Sequence, residues 1–68
     1  MKTDFYEADP FSGSKGAHLA TIESDYRWEK SDEVWIESAG KRTKIRLTWV
    51  NVTVKDGVVS RELLGLRL

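Results

Sequence analysis

Ile45-Arg46-Leu47-Thr48-Trp49-Val50-Asn51-Val52-Thr53-Val54-Lys55-Asp56-Gly57-Val58-Val59-Ser60-Arg61-Glu62-Leu63-Leu64-Gly65-Leu66-Arg67-Leu68 is the stretch that decides the fold. Two β-rich runs flank Asp56-Gly57, a pair suited to a two-residue primed turn because glycine accepts positive φ without penalty. With that turn Lys55 faces Val58, and opposing residue numbers sum to 113. Val54 then meets Val59, Val50 meets Leu63, Trp49 meets Leu64, Leu47 meets Leu66 and Ile45 meets Leu68. Only Val52 opposite Arg61 breaks the match, and a one-residue slip would ruin it. The apolar positions are odd at Ile45, Leu47 and Trp49, then even at Val50, Val52 and Val54. The buried face therefore changes sides near Trp49, which calls for a bulge, a bend or strong twist. In this register Trp49 and Leu64 are neighbours on the core face.

The same test works upstream. A turn at Ala39-Gly40 makes opposing numbers sum to 79, so Glu33 faces Arg46, Trp35 faces Lys44, Glu37 faces Arg42 and Val34 faces Ile45. Two opposite-charge pairs then flank a cation–π pair on one face. A short helix over 31–39, capped by Ser31 and stopped by Gly40, is the competing reading. The Val34-Trp35-Ile36 run and the charge pairing favour the strand. Further upstream, Ala20, Ile22, Tyr26 and Trp28 alternate with Thr21, Glu23, Asp25, Arg27 and Glu29, which predicts a half-buried strand over 18–28. Residues 1–16 read as an irregular segment with a loop from Asp9 to Gly16, and Phe5, Tyr6 and Phe11 as its anchors. The expectation is one all-β domain over 1–68. It is a small antiparallel meander of four to five strands, near 18–28, 33–38, 42–54 and 58–68, curled into a barrel or roll.

Sixty-eight residues leave room for one small domain, which buries only about 60% of the surface of its unfolded chain. Its stability margin is thin. With no cysteine there is neither a disulfide nor a thiolate metal site to widen it. Eleven basic and eleven acidic residues cancel, which argues against a strong nucleic-acid binder. The halves differ: residues 1–35 carry four basic and eight acidic side chains, residues 36–68 seven and three. Pairing of the two halves across strands is the expected outcome. No apolar run approaches a membrane span, and the first residues lack an apolar signal core, so no membrane contact and a cytoplasmic location are expected.

Chemistry is sparsely encoded. His18 is the sole histidine and stands beside a Gly-rich loop, not in a nucleophile signature. Gly13-Ser14-Lys15-Gly16 lacks phosphate-loop spacing, and Asn51-Val52-Thr53 matches a glycosylation sequon without a secretory signal. Glu23 and Asp25 read as solvated strand charges rather than paired catalytic carboxylates. No catalytic residue, metal ligand or cofactor is expected, and the chain reads as a non-enzyme. Two functions follow. The first is a protein-interaction module, as a subunit, inhibitor or adaptor, using a sheet edge or face to bind a protein partner or a second copy. The final strand, with Leu63, Leu64, Leu66 and Leu68, is the expected edge, since it is rich in leucine and contains no proline. The second is single-stranded nucleic-acid binding by Trp35 with Arg42, Lys44, Arg46 and Arg67 around it, where Arg46 and Arg67 lie opposite each other.

Overall fold

The computed structural model describes residues Met1–Leu68 and contains five strands and no helix: β1 (Lys2–Ala8), β2 (Lys15–Glu23), β3 (Glu33–Ser38), β4 (Lys41–Lys55) and β5 (Val58–Arg67). They form a single sheet in the order β2-β1-β5-β4-β3, curled into a half-barrel. The three hairpin pairings are antiparallel, and β1 joins β5 in parallel. The all-β fold is as expected, made mixed by that one parallel contact.

Both turns form as the sequence predicts. Ala39-Gly40 and Asp56-Gly57 have positive φ at every central residue, the primed geometry that matches strand twist. The β3–β4 register runs from Glu33↔Arg46 to Ser38↔Lys41, so residues 31–39 do not form a helix. The β4–β5 register follows the 113 sum from Lys55↔Val58 to Trp49↔Leu64. A bulge at Thr48 then moves it by one residue, giving Leu47↔Gly65, Arg46↔Leu66 and Ile45↔Arg67 in place of the expected Leu47–Leu66 and Ile45–Leu68 pairs. The bulge explains the change of phase in the apolar pattern, because one extra residue turns the following side chains to the other face.

The inner face holds the core: Phe5, Ile36, Ile45, Leu47 and Leu63, with Leu19, Ala20, Trp28, Val34 and Val50 packed on it. Trp49 does pair with Leu64, but it lies on the outer face and is 60% exposed, which corrects its expected place in the core. Arg61, the apparent mismatch, is buried on the inner face. Its Nε donates to Thr3 Oγ1 at 2.8 Å, its Nη2 to the Ser24 carbonyl at 3.1 Å, and its guanidinium lies 4.8 Å from the Trp28 ring.

Three further expectations are corrected. Residues 1–16 are not wholly irregular, since β1 occupies 2–8 and sends Thr3 and Phe5 inward. The predicted strand 18–28 begins earlier, at Lys15, and ends at Glu23, so Tyr26 and Trp28 lie in a loop. There Trp28 stacks edge-on against Phe5 at 5.2 Å. Of the three aromatic anchors, Phe5 is buried, whereas Phe11 is 98% exposed on the β1–β2 turn. That turn is tied by the Asp9 carboxylate, which accepts from the Phe11 and Ser12 amides at 2.8 and 2.9 Å.

Candidate functional site

The final strand is not an edge. β1 pairs with it from Lys2↔Ser60 to Glu7↔Gly65, and β4 covers its other side, so β5 is the middle strand. Leu63 and Leu64 are buried and Leu66 is half-buried. Only Leu68 is exposed, beyond the strand, where its amide donates to the Lys44 carbonyl at 2.9 Å. Of the leucines that would have formed a docking edge, Leu63 is spent on the core, and Leu64 and Leu66 lie on the outer face opposite Trp49 and Arg46. What covers them is a strand from the other end of the chain, a contact between distant residues that no local pattern reveals.

The outermost strands are β2 and β3. They face each other across the mouth of the half-barrel, and no backbone hydrogen bond joins them. Between them lies a slot of about 250 Å³ lined by Phe5, Ala20, Ile22, Trp28, Val34 and Ile36, with Trp35 and Glu37 at its rim. The periods of β2 and β3 direct Ala20, Ile22, Val34 and Ile36 to this inner side, while Trp28 enters from the 24–32 loop. That loop is held by Ser31 N donating to Leu47 O at 2.7 Å and Leu47 N to Asp32 O at 2.8 Å. Ile22, Trp35 and Tyr26 remain exposed around the opening. An apolar slot between two unpaired strand edges is suited to accept an extended segment. Backbone groups of one edge pair with it, and alternate side chains enter the slot.

The cationic constellation assembles in part. Trp35 is 52% exposed, with the Arg42 guanidinium 4.0 Å and the Lys44 ammonium 5.4 Å from its ring centroid. Trp35, Arg42, Lys44 and Arg67 border one shallow recess of about 220 Å³ with Thr43 and Leu68. Arg46 and Arg67 are not opposite each other, because the Thr48 bulge pairs Arg46 with Leu66 and Arg67 with Ile45. Every cation of the set has a carboxylate: Lys44 and Arg46 bind Glu33 at 2.8 and 3.1 Å, Arg42 binds Glu37 at 2.9 Å, and Arg67 binds Glu7 at 3.1 Å. The hydrogen bond from Lys44, then that from Arg46, holds the Glu33 carboxyl below its usual range. Glu7 and Glu33 of the acidic first half thus pair with Lys44, Arg46 and Arg67 of the basic second half, whereas Arg42–Glu37 lies within the second.

His18 meets Thr21 and Asp4 on the outer face. Its Nε2 lies 2.7 Å from Thr21 Oγ1 and 3.3 Å from Asp4 Oδ1, and the Thr21 hydroxyl donates directly to Asp4. One ring nitrogen serves both partners, so the three groups do not form a nucleophile–base–orienter series, which needs both nitrogens. The Thr21 hydrogen bond, with His18 second, holds the Asp4 carboxyl below its usual range. Glu23 and Asp25 lie on the surface with no geometry relating them to this cluster.

No family model matches the chain, and neither a curated protein nor a solved structure shows significant similarity to it. No helix in it is long and apolar enough to cross a membrane.

Proposed function

We propose that this chain is a non-enzymatic protein-interaction module that adds an extended segment of a partner protein to the open edge of β2 or β3, with alternate side chains of the segment entering the slot. The observation that carries the proposal is the apolar slot bounded by two unpaired strand edges. A strand added to one edge would cover Ala20, Ile22, Val34 and Trp28, adding main-chain hydrogen bonds to apolar burial. A cytoplasmic location belongs to the same proposal, supported by the mixed-charge surface and the lack of a long apolar run.

Selection from a library of random linear peptides against the folded chain tests it. Enriched peptides are expected to alternate apolar and polar residues. They should shift β2 and β3 amide resonances and lose affinity for Ile22→Lys. Absence of enrichment, or peptides that bind Ile22→Lys equally well with shifts elsewhere, would reject the slot. Single-stranded nucleic acid is the competing ligand, through Trp35, Arg42, Lys44, Arg46 and Arg67. It is the weaker reading because the four cations share three carboxylates, Glu7, Glu33 and Glu37, and little net positive charge remains. Salt-dependent oligonucleotide binding that is lost in Trp35→Ala would favour it instead.

A further inference from the structure

β4 is 15 residues long, but β3 pairs only with Lys41–Arg46, and the Ser31-Asp32 bonds end at Leu47. From Trp49 to Lys55 the strand pairs with β5 on one side and with no strand on the other, where residues 28–30 come alongside only Trp49 and Val50. Lys55 and Val58 flank the primed turn and are hydrogen-bonded to each other. Alternation then directs the N–H and C=O groups of Val50, Val52 and Val54 away from β5. The same three side chains line one face, and Val52 and Val54 are 55% and 68% exposed. Trp49-Val50-Asn51-Val52-Thr53-Val54 is free of charge, proline and glycine. Natural edges are ordinarily blunted by such residues, and this one is not. The accessible surface, 4900 Å², exceeds the roughly 4,400 Å² expected of a chain of 7.8 kDa, in keeping with an arm that projects from the sheet.

We infer that β4 pairs antiparallel with β4 of a second copy of this chain over residues 49–55, about a two-fold axis at Val52. The choice of occupant rests on self-complementarity. When opposing numbers sum to 104, Val52 meets Val52, Val50 meets Val54, Asn51 meets Thr53 and Trp49 meets Lys55 of the second copy. Apolar side chains face apolar ones on one side of the new sheet. On the other side two symmetry-related Asn51–Thr53 pairs are flanked at each end by an indole facing an ammonium. This register engages all three outward-facing residues of each copy, giving six main-chain hydrogen bonds; neighbouring registers engage fewer. It also sets Asp56 of the second copy opposite Thr48, beside the recess that Lys30 lines with Trp49 and Val50. Seven residues at about 3.4 Å span about 24 Å. A strip that long and about 10 Å thick, one sheet layer, removes roughly 500 Å² in total, below the range of stable interfaces, so the association is weak and concentration-dependent. The inference is independent of the slot, which lies on the other side of β3.

The chain contains no cysteine, so single cysteines report the register directly. Opposed residues of a hydrogen-bonded antiparallel pair lie about 5.5 Å apart at Cα, within disulfide reach. Mass should rise from monomer toward dimer by sedimentation between about 10 μM and 1 mM. Val52→Cys should form a disulfide-linked dimer at least about tenfold faster than Thr53→Cys, whose axis-related partner position is Asn51. Val52→Lys sets two ammonium groups against each other on the axis and should keep the chain monomeric. Its circular dichroism spectrum should stay unchanged, since residue 52 is exposed. A monomer throughout the range would overturn the inference. So would a dimer that survives Val52→Lys, or equal crosslinking at residues 52 and 53.

Discussion

Gly65→Ala probes how closely β5 is packed into the half-barrel. Gly65 lies opposite Leu47 and beside Glu7. A β-carbon placed on it would sit 2.7 Å from Ile45 Cδ1, 2.9 Å from Ile45 Cβ and 3.0 Å from Ile45 Cγ1. Ile45 is fully buried and has no room to retreat. The φ of Gly65 is not positive, so alanine meets no backbone penalty and the variant isolates packing. Alanine gains about 0.5–1 kcal/mol over glycine in a strand from reduced freedom of the unfolded chain. Overpacking a filled core costs about 1–3 kcal/mol. The cost wins, and a net loss of about 0.5–2 kcal/mol is expected. In a domain this small that lowers Tm by several degrees, at about 4–8 °C per kcal/mol. The partner variant Ile45→Ala should cost about 2–5 kcal/mol alone. It removes two of the three offending atoms, so in the double variant the added methyl occupies vacated space. The loss should fall short of the sum by about 1 kcal/mol. Urea denaturation of the four proteins measures the cycle. A raised midpoint for Gly65→Ala, or losses that add to within about 0.3 kcal/mol, would refute the close contact.

Ala39 holds a left-handed conformation with φ 53°, so Ala39→Gly should stabilise the chain by about 1 kcal/mol, read as a higher Tm. Trp49→Ala should cost under about 1 kcal/mol in the monomer, measured by urea denaturation in dilute solution, because the indole is largely exposed. The Asp4, Asp9 and Glu33 carboxyls are held below their usual values, so the unfolded chain binds protons first as pH falls. Their contribution is complete above about pH 4.5 and is lost as pH falls through the lowered values. The urea midpoint should therefore fall between pH 5 and pH 3, and less steeply in Glu33→Gln.

The hairpins were legible because they are local. Ala39-Gly40 and Asp56-Gly57 announce positive φ, and each turn fixes the register of the strands it joins. The change of phase at Trp49 located the bulge without deciding which pairs it would shift. The fate of Trp49 was not legible, since whether the outer face is covered depends on the whole sheet. β1 was hidden for two reasons. Its inward side offers Thr3 and Phe5, one polar and one apolar, where a strand is ordinarily recognised by a longer alternation. Its partner β5 lies nearly sixty residues away and runs parallel to it, a contact no turn encodes. That contact turned the expected edge into the middle strand and moved the open edges to β2 and β3. Arg61 shows the same effect: an apparent misfit opposite Val52 becomes the bridge to Thr3 and Ser24 once β1 is in place.

Residue-resolved amide hydrogen exchange on the dilute chain tests the open half-barrel most directly. β5 is hydrogen-bonded on both sides between Ser60 and Gly65, so even- and odd-numbered amides there should both be protected, and should be among the slowest to exchange. In β2 and β3, protection should alternate, with every second amide exchanging freely toward the slot. Uniform protection along β2 and β3 would mean that the sheet closes. Alternating protection along β5 would mean that the last strand is an edge after all, and either result would contradict the architecture on which the slot depends.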